Sequence, residues 1–352
     1  SLPNLHRFQM VYYDIPTDSM QLDPPIKSSP EETKFNHALR PKNLTEFVGH
    51  QEVVERLKIF IQAAKERKEP LGHSLLYGPA GLGKTSLAHI IKEEMGVNMV
   101  VTSGPLLEKA KDLAGILTSL EEGDILFIDE IHRLSRVVEE YLYPALENFS
   151  LDLLLDSGPS ARSINIQLHK FTLVGATTRF GDLTSPLRSR FQLISRLDYY
   201  SLEDLSHVVC FSANKIGIDL PLKLGRLIAE RSRGTPRLAN NLLRWLRDYI
   251  SVCNQGIWDE SGVRAGLVKL GIDLYGLDSF DRRLLEIIYI QHNGGPVGIS
   301  NLAASLGEEI ATIEEVLEPH LIALGLLRRT PRGRELTPQG LAHIEKIKTR
   351  GV

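Results

Sequence analysis

Residues 78–85, with the letters GPAGLGKT, follow the pattern G-x-x-x-x-G-K-[ST]. Glycines in such a loop allow backbone N–H groups to converge on phosphate oxygens, and the start of the helix that follows adds a favourable dipole. We expect Lys84 to reach the β- and γ-phosphates of a nucleotide and the Thr85 hydroxyl to bind Mg²⁺. The segment therefore predicts a nucleoside triphosphate site.

Two carboxylates, Asp129 and Glu130, follow the apolar run ILFI. Because ligands of an open parallel sheet bind beyond the carboxyl ends of its strands, we expect Asp129 to lie beside the Mg²⁺. Glu130 is then placed to orient or deprotonate a water molecule in line with the γ-phosphate. A third polar cluster, Thr-Thr-Arg at 177–179, ends a later apolar run, and we expect one of its hydroxyls to position that water.

Short apolar runs that alternate with helical periods must position these groups. We predict strands at residues 74–77, 99–103, 125–129 and 171–177. A helical period begins at Asn43, and a second helix follows the phosphate loop. Nearly continuous apolar strands separated by helices predict a parallel sheet covered on both faces, and so the α/β class. Two alternating runs around Ser-Gly-Pro-Ser within residues 151–168 predict a β-hairpin insertion.

The rest of the chain reads as two smaller helical regions. Predicted helices at 202–214, 222–232, 237–254 and 259–270 indicate a small all-helical domain. Further helices at 278–291, 299–306 and 310–324 precede two short strand-like runs within 326–337, an order typical of a winged helix. We therefore predict a flexible arm at 1–38, a large α/β domain at 39–200, a helical lid at 201–275 and a winged-helix domain at 276–352.

Composition narrows the class of protein. The 352 residues include 41 Lys and Arg, 44 Asp and Glu, 42% apolar residues and two cysteines, which excludes a disordered chain or a disulfide framework. No apolar run approaches the roughly 20 residues that span a bilayer, so we expect a soluble, cytoplasmic protein. The net charge of −3 is uneven: the last 32 residues hold seven basic and two acidic residues, a charge of +5 that suits nucleic acid.

The phosphate loop, the Asp-Glu strand end and the polar strand end together resemble an AAA+ ATPase. Between residues 39 and 337, segments in order resemble the RuvB family, the motors of Holliday junction branch migration. These segments are LYGPAGLGKTSLAHIIKEEMG, LFIDEIHRLS, GPSARSI, FTLVGATTR, SPLRSRF, RSRGTPR, GGPVG and LLRRTPRGR. GPSARSI and RTPRGR are more specific to the family than the phosphate loop, which many ATPases share.

The resemblance implies roles around the nucleotide. Lys84 holds phosphate, Thr85 and Asp129 bind the metal, Glu130 activates water, and Thr178 senses the γ-phosphate. The implied nucleotide-binding set is Leu39, Arg40, Gly81, Gly83, Lys84, Thr85, Ser86, Glu147, Asn148, Phe149, Arg190, Tyr200 and Arg237.

Two of these arginines have more specialised implied roles. Arg190 resembles the arginine finger that reaches the ATP of the next subunit, and Arg237 resembles a second sensor that reports the nucleotide state to the lid. A guanidinium is planar, permanently charged and suited to phosphate. We expect Arg190 to project outward from a loop, and a surface ion pair is the alternative.

The resemblance also implies partners. Arg329 and Arg334 match wing arginines that contact DNA, and the hairpin at 151–168 matches the docking element for RuvA, with the leucines at 153–155 as an exposed apolar patch. A hairpin packed on its own domain is the alternative. The family further implies a homo-hexameric ring on double-stranded DNA and the resolvase RuvC in a larger complex. His50, Asp156 and Trp245 depart from the family pattern.

Two other classes of protein share some of these features. A clamp loader is also an AAA+ ATPase, but it normally ends in a helical collar rather than a basic wing. An ATP-switched DNA-binding initiator combines an AAA+ domain with a winged helix and lacks translocation. The GPSARSI hairpin argues against the initiator, and processing of a four-way junction separates the two activities.

Overall fold

The computed structural model describes residues 38–154, 163–273 and 275–350. These residues form two compact units that divide between Trp245 and Leu246, inside a single helix. The predicted division into three domains and an arm stays a prediction, and the arm lies outside the described residues.

The first unit is built on a five-stranded parallel sheet and a separate hairpin. Its strands are β1 (Ser74–Tyr77), β2 (Met99–Ser103), β3 (Ile125–Asp129), β4 (Ser150–Leu154), β5 (Ser163–Gln167), β6 (Thr172–Thr177) and β7 (Leu193–Arg196). The order in the sheet is β2-β3-β6-β1-β7. Strand β6 therefore lies between the strand that precedes the phosphate loop and the strand that ends in the acid pair.

The sheet confirms the predicted α/β class and four predicted strands, the last of which begins one residue later than expected. The sequence did not predict β7, which pairs with β1 through Leu75↔Ile194 and Tyr77↔Arg196. Its letters, LISR, place two apolar residues before two polar ones and so show no alternation over the four residues of this edge strand. The central strands are apolar throughout because both of their faces are buried: every residue of β6 is buried, as is every residue of β3 before Asp129.

Helices cover this sheet and continue into the predicted lid. They are α1 (Gln51–Arg67), α2 (Lys84–Met95), α3 (Ala110–Ser119), α4 (Arg136–Asn148), α5 (Ser185–Arg188), α6 (Leu202–Lys215), α7 (Leu222–Ala229) and the first part of α8 (Pro236–Cys253). The prediction that the first helical period starts at Asn43 is wrong, because α1 begins at Gln51. The Asn43 side chain accepts hydrogen bonds from the backbone N–H groups of Thr45 and Glu46, which favours a turn over a helix.

The predicted hairpin is confirmed as the antiparallel pair β4–β5, in the register Leu151↔Ile166. Leu151 is fully buried and belongs to the core under the sheet, whereas Asp152 is exposed and accepts a hydrogen bond from Asn165 at 2.8 Å. The tip, residues 155–162, lies outside the described residues. So do the side chains of the predicted apolar patch at 153–155.

The second unit contains the rest of α8 and a winged helix. Its elements are α9 (Glu260–Lys269), α10 (Ser279–His292), α11 (Ile299–Leu306), α12 (Ile310–Thr312), α13 (Glu318–Ala323), β8 (Leu327–Thr330), β9 (Gly333–Leu336) and α14 (Pro338–Arg350). Strands β8 and β9 pair antiparallel, as predicted, with Arg329 opposite Arg334. The helical residues surround a core of leucines and isoleucines that includes Leu284, Ile288 and Ile313.

Two features of this unit differ from the prediction. The helix expected at 310–324 is divided by a π-helical turn, Ile313–Leu317, between α12 and α13. Pro319 in the first turn of α13 has no N–H to donate to a preceding carbonyl, which accounts for the altered hydrogen bonding. Helix α14 was not predicted: its fully buried Ile344 belongs to the apolar core of this unit.

Candidate nucleotide-binding site

The phosphate loop joins β1 to α2, as the sequence predicts. Lys84 is the first residue of α2, and Gly83 before it has a φ of 97°. At Gly78, φ is 142° and an added Cβ would lie 2.0 Å from the carbonyl oxygen of Leu197. Only glycine satisfies both positions. Gly83 needs a left-handed backbone, and Gly78 lies too close to the backbone just after β7 to carry a Cβ.

Lys84 is the buried cation of this loop. Its side chain is 7% exposed, and its Nζ donates to the carbonyl oxygens of Gly78 and Pro79, each at 2.7 Å. Burial lowers the pKa of Lys84 to about 8, the charge of Asp129 opposes this, and the charge of Arg237 adds to it. Neutral carbonyls satisfy the ammonium donors but do not neutralise the charge, so a polyanion is the natural ligand at this point.

Two arginines extend the cationic cluster. The backbone N–H of Arg237 donates to the Gly81 carbonyl at 3.3 Å, and a Cβ added at Gly81 would lie 3.0 Å from the Arg237 Cβ. The first turn of α8 therefore rests directly on the loop. Burial lowers the pKa of Arg40, and the charge of Arg237 lowers it further. Repulsion among these cations is relieved when phosphate enters.

A cavity beside the loop has mostly apolar walls, which suit the flat faces of a nucleobase. It is lined by Leu39, Arg40, Pro41, Glu46, Phe47, Val48, Gly83, Ser86, Tyr200, Val208, Phe211, Ser212, Pro236 and Asn240. Four predicted residues outside the loop meet here: Leu39, Arg40, Ser86 and Tyr200. The Tyr200 ring is 9% exposed, and burial raises the pKa of its hydroxyl, which keeps it neutral.

The cavity also contains groups that the sequence did not single out. Phe47 contributes an apolar wall against Gly83, where an added Cβ would lie 3.3 Å from its ring. Asn240 Oδ1 is buried and has no hydrogen-bond partner within the described part of the chain, so it is an acceptor open to a ligand. His50, which departs from the family pattern, is not among the lining residues but packs edge-on against Tyr200, with ring centroids 4.6 Å apart. Nothing in the residue type or spacing of Asn240 marks it, because only the fold brings it to the cavity.

The acid pair ends β3 as predicted. Asp129 pairs in register with Ser103 of β2, and its carboxylate accepts the backbone N–H of Glu130 at 2.9 Å. Glu130 has a φ of 47°, a left-handed conformation that turns its side chain away from the strand direction. Its carboxylate meets Arg133 at 3.2 Å, and both side chains are about half exposed. Both acids therefore lie at the carboxyl edge of the sheet with the loop lysine.

The two threonines that end β6 differ in their surroundings. Thr177 is fully buried; its hydroxyl lies 2.9 Å from His132 Nδ1 and accepts the Arg179 backbone N–H at 2.9 Å. Thr178 is exposed at the end of the strand between the phosphate loop and the acid pair. The engaged hydroxyl of Thr177 orders this strand end, and that of Thr178 faces solvent. His132 is a contact that the sequence did not indicate.

Arg190 belongs to a second cluster, formed with α4. The expectation that it projects outward is wrong for this structure: its side chain is 16% exposed, and its Nη2 lies 2.8 Å from Glu147 Oε1. The guanidinium carbon lies 4.2 Å from the centre of the Tyr143 ring. The ion pair with Glu147 is the alternative noted for this residue, and it leaves the finger role untested.

The other residues predicted near Glu147 divide between surface and core. Asn148 is exposed at the end of α4, and its backbone carbonyl accepts from the Gln167 side chain. Phe149 packs edge-on against Phe171, with ring centroids 5.9 Å apart, and so faces the core. Its φ of 50° ends the helix. Phe149 therefore packs against the core and does not face the surface on which Glu147 and Asn148 lie.

The wing places both predicted DNA-binding arginines on one buried acid. Arg329 Nε lies 2.6 Å from Glu318 Oε2, and Arg334 Nε lies 2.6 Å from Glu318 Oε1. Glu318 is fully buried, Arg334 is 14% exposed and Arg329 is 50% exposed. Burial works to lower the pKa of Arg334, but hydrogen bonds and charge from Glu318 and Glu314 outweigh it, and the pKa is raised. The exposed Arg332 at the turn was not predicted as a contact.

A phosphate loop after β1, an acid pair after β3, a polar strand end between them and a helix N-terminus on the loop define a P-loop ATPase of the AAA+ class. Three family models match the chain: the Holliday junction DNA helicase RuvB P-loop domain over 39–197, the RuvB AAA lid domain over 200–273 and the RuvB C-terminal winged helix domain over 274–345. The chain belongs to the RuvB family, the ATP-hydrolysing motors of Holliday junction branch migration.

Solved structures agree with this assignment. The chain is similar to Thermotoga maritima RuvB, described as a Holliday junction branch migration motor, with 47% identity, a TM-score of 0.80 and coverage of 88% of this chain and 98% of that one. A single-substitution variant of the same protein matches at 48% identity and a TM-score of 0.80, over 87% of this chain and 98% of that one. No helix within the described residues is long and apolar enough to cross a membrane.

Proposed function

We propose that this motor works as a homo-hexameric ring on double-stranded DNA in the cytoplasm, driven by ATP hydrolysis with Mg²⁺ as the metal cofactor. Four-way junctions are its substrate, a RuvA-type protein is its loading partner, and RuvC joins the larger complex. The convergence of Lys84, Arg40 and Arg237 around one glycine-rich loop carries the nucleotide part of this proposal. Such a cluster is costly for the free protein and is neutralised by a triphosphate.

Thr85 and Asp129 are the proposed protein ligands of Mg²⁺. Within the described residues, no group of three or more His, Cys, Asp or Glu side chains is arranged to hold a metal ion alone. Mg²⁺ commonly binds through one or two protein oxygens, water and substrate phosphates, so this donor set fits an ion that arrives with the nucleotide. The ion would neutralise charge on the phosphates, while Lys84 binds them from the other side.

Glu130 is the proposed base. Glu130 follows the proposed metal ligand Asp129 by one residue. Its ion pair with Arg133 joins two half-exposed side chains, so a water molecule can easily replace Arg133 as the partner of the carboxylate. Glu130→Gln should keep nucleotide affinity and lose turnover by about a hundredfold or more. Fluorescent-nucleotide binding and phosphate release measure the two quantities. Normal turnover in this variant would remove Glu130 from the role.

Arg190 is the proposed trans-acting group. Its present partner, the Glu147 carboxylate, is 54% exposed, so the ion pair can open without stranding a buried charge. In a ring, a neighbouring γ-phosphate then takes the place of the carboxylate. Arg190→Ala subunits, inactive alone, should regain hydrolysis when mixed with subunits that keep the finger but carry Glu130→Gln. If the Arg190→Ala subunits stay inactive in this mixture, the result counts against action in trans.

The hairpin β4–β5 is the proposed RuvA-docking element. Its described part is fixed to the core through Leu151 and presents the half-exposed Ile164 on the other strand. Removal of residues 155–162 should abolish binding to a RuvA-type protein in a pull-down and preserve ATP hydrolysis without that partner. Strand movement on a synthetic four-way junction, with and without the partner, then distinguishes the motor from a nucleotide-switched DNA binder.

A further inference from the structure

One face of α4 holds the segment that carries Arg190. Glu139, Tyr143 and Glu147 follow each other at intervals of four residues and therefore line the same side of the helix. All three contact the short stretch from Thr184 to Arg190. The proposed finger is thus attached to the ATPase domain through one helical face.

Arg190 makes one ion pair, one hydrogen bond to a backbone carbonyl and one aromatic contact. Nη2 pairs with Glu147 at 2.8 Å, Nη1 donates to the Pro186 carbonyl at 2.6 Å, and the guanidinium lies over the Tyr143 ring at 4.2 Å. The Nε group is buried and has no hydrogen-bond partner within the described residues. The present arrangement therefore leaves one donor of the guanidinium unsatisfied, and a phosphate oxygen offers a better acceptor than this site provides.

Tyr143 is itself fixed at its far end. Its hydroxyl donates to Glu139 Oε1 at 2.7 Å, and the Thr184 hydroxyl donates to the same carboxylate oxygen. Glu139 is 6% exposed, and the Thr184 hydroxyl also accepts the Leu187 backbone N–H as the cap of α5. Burial raises the pKa of Tyr143, with a further rise from Glu139, so the phenol stays protonated and keeps donating. The plane of the ring is therefore set by a buried network.

We propose that Tyr143 is a positioning residue for Arg190, one that fixes the plane and direction of the guanidinium while Glu147 is exchanged for the γ-phosphate of the neighbouring subunit. This inference rests on the proposed trans role of Arg190. A neutral ring attracts the cation through its face and does not compete with phosphate for the N–H donors. A carboxylate does compete, so the ring and the acid act at different stages.

Two substitutions separate the face of the ring from its hydroxyl. Tyr143→Phe keeps the face and loses the bond to Glu139, whereas Tyr143→Leu fills similar space without a π-system. Because small misplacements of a catalytic group are costly, we expect Tyr143→Leu to lose kcat by about tenfold or more with KM for ATP unchanged, and Tyr143→Phe to lose much less. Equal losses in the two variants would refute the role of the ring face.

A directional mixing experiment tests the inference without relying on stability. Subunits with Glu130→Gln retain a finger but cannot hydrolyse, and subunits with Arg190→Ala can hydrolyse but lack a finger. Mixed in equal amounts, the pair should regain ATPase activity at the interfaces where the Glu130→Gln subunit donates its finger. Adding Tyr143→Leu to the Glu130→Gln donor should then reduce this recovery by about tenfold or more.

The matched control places Tyr143→Leu in the Arg190→Ala recipient, where no finger needs positioning, and recovery should persist. If Tyr143→Leu acts equally in donor and recipient, the residue is structural and the inference fails. If the parental pair itself shows no recovery, the trans role of Arg190 fails and the proposed function is at fault. If Tyr143→Leu does not fold, the same design can use Tyr143→Phe and Glu139→Gln in the donor. These variants should cause a smaller loss of recovery, and only when they are in the donor. No loss, or an equal loss in donor and recipient, contradicts the inference.

Discussion

The edge of the ATPase domain and the wing each hold an arginine proposed to bind phosphate, and each arginine is already paired with an acid. At the ATPase edge, the partner of Arg190 is Glu147, which is 54% exposed. In the wing, the partner of Arg334 is Glu318, which is fully buried. The first pair can open into water at little cost, whereas opening the second leaves a charge inside the protein.

This difference separates an exchangeable contact from a structural one. Arg190 adds an aromatic support that remains when the acid leaves, and one of its donors has no acceptor within the described residues. Arg334 instead bonds to Glu318 and to Glu314. Both sites have an arginine that matches a family motif, so the motif does not distinguish them. The burial of the partner acid does: Arg190 can leave its exposed acid, whereas Arg334 is held by a buried one and stabilises the wing.

The largest expected effect is the loss of ATP turnover when Arg190 is removed. Arg190→Ala should reduce kcat by about a thousandfold, the usual contribution of an arginine finger, because the γ-phosphate loses its donor. The melting temperature should hardly change, since Glu147 is left facing water. Arg188→Ala is the matched control: Arg188 lies two residues earlier, over the Phe180 ring, and its loss should spare turnover. A large fall in stability for Arg190→Ala would erase the contrast between the two regions.

On the structural side, Arg334→Ala should destabilise the protein by about 3 kcal/mol, since Glu318 then keeps, among the described residues, only the half-exposed Arg329 as an ion-pair partner. Arg329→Ala should cost less, because Arg334 still pairs with the buried acid. Denaturant unfolding measures both. In the double variant with Glu318→Gln, the loss caused by Arg334→Ala should shrink markedly; strictly additive losses would mean that the buried pair does not couple.

Lys84 extends the comparison to a buried cation that bonds to neutral carbonyls. Its pKa is lowered to about 8, whereas acids raise the pKa of Arg334. Above pH 8, free Lys84 is largely neutral, and bound phosphates should restore its proton. Nucleotide binding at about pH 8.5 should therefore take up a proton, and affinity should fall as the pH rises.

Calorimetry in buffers of different ionisation enthalpy measures that proton. In Lys84→Arg the side chain is protonated before and after binding, so proton uptake should vanish even where some affinity remains. Uptake that persists in Lys84→Arg would assign the proton to another group at the site.

The parts of the site that the sequence predicts are those formed by neighbours in the chain. The loop spacing identifies Lys84 and Thr85, and the strand-end acids identify Asp129 and Glu130, because each motif needs only a strand end to place it. The strand bounds follow from apolar runs buried on both faces. Strand β7 was not predicted because its four residues at the sheet edge do not alternate between apolar and polar.

Contacts made across long separations could not be predicted in this way. Thr184 reaches Glu139 over 45 residues, and Arg334 reaches Glu318 over 16, through residue types that are common on any surface. Asn240 enters the cavity beside the phosphate loop only because α8 begins on that loop. The sequence indicated that the wing is basic, but the buried acid that holds two of its arginines is visible only in the fold.

The smallest effect sharpens the contrast within the wing. Arg332 lies exposed at the turn between β8 and β9 and has no ion-pair partner among the described residues, so its charge is available to a DNA phosphate. Arg332→Ala should leave stability unchanged and reduce the slope of log affinity against log salt by about one, the signature of one lost phosphate contact. Fluorescence anisotropy on duplex DNA over a salt series measures this slope, with Arg328→Ala as the control, because Arg328 already pairs with Glu335. If Arg334→Ala changes the slope more than Arg332→Ala does, the buried pair of Arg334 and Glu318 opens on DNA. Arg334 would then exchange its acid for phosphate, as proposed for Arg190.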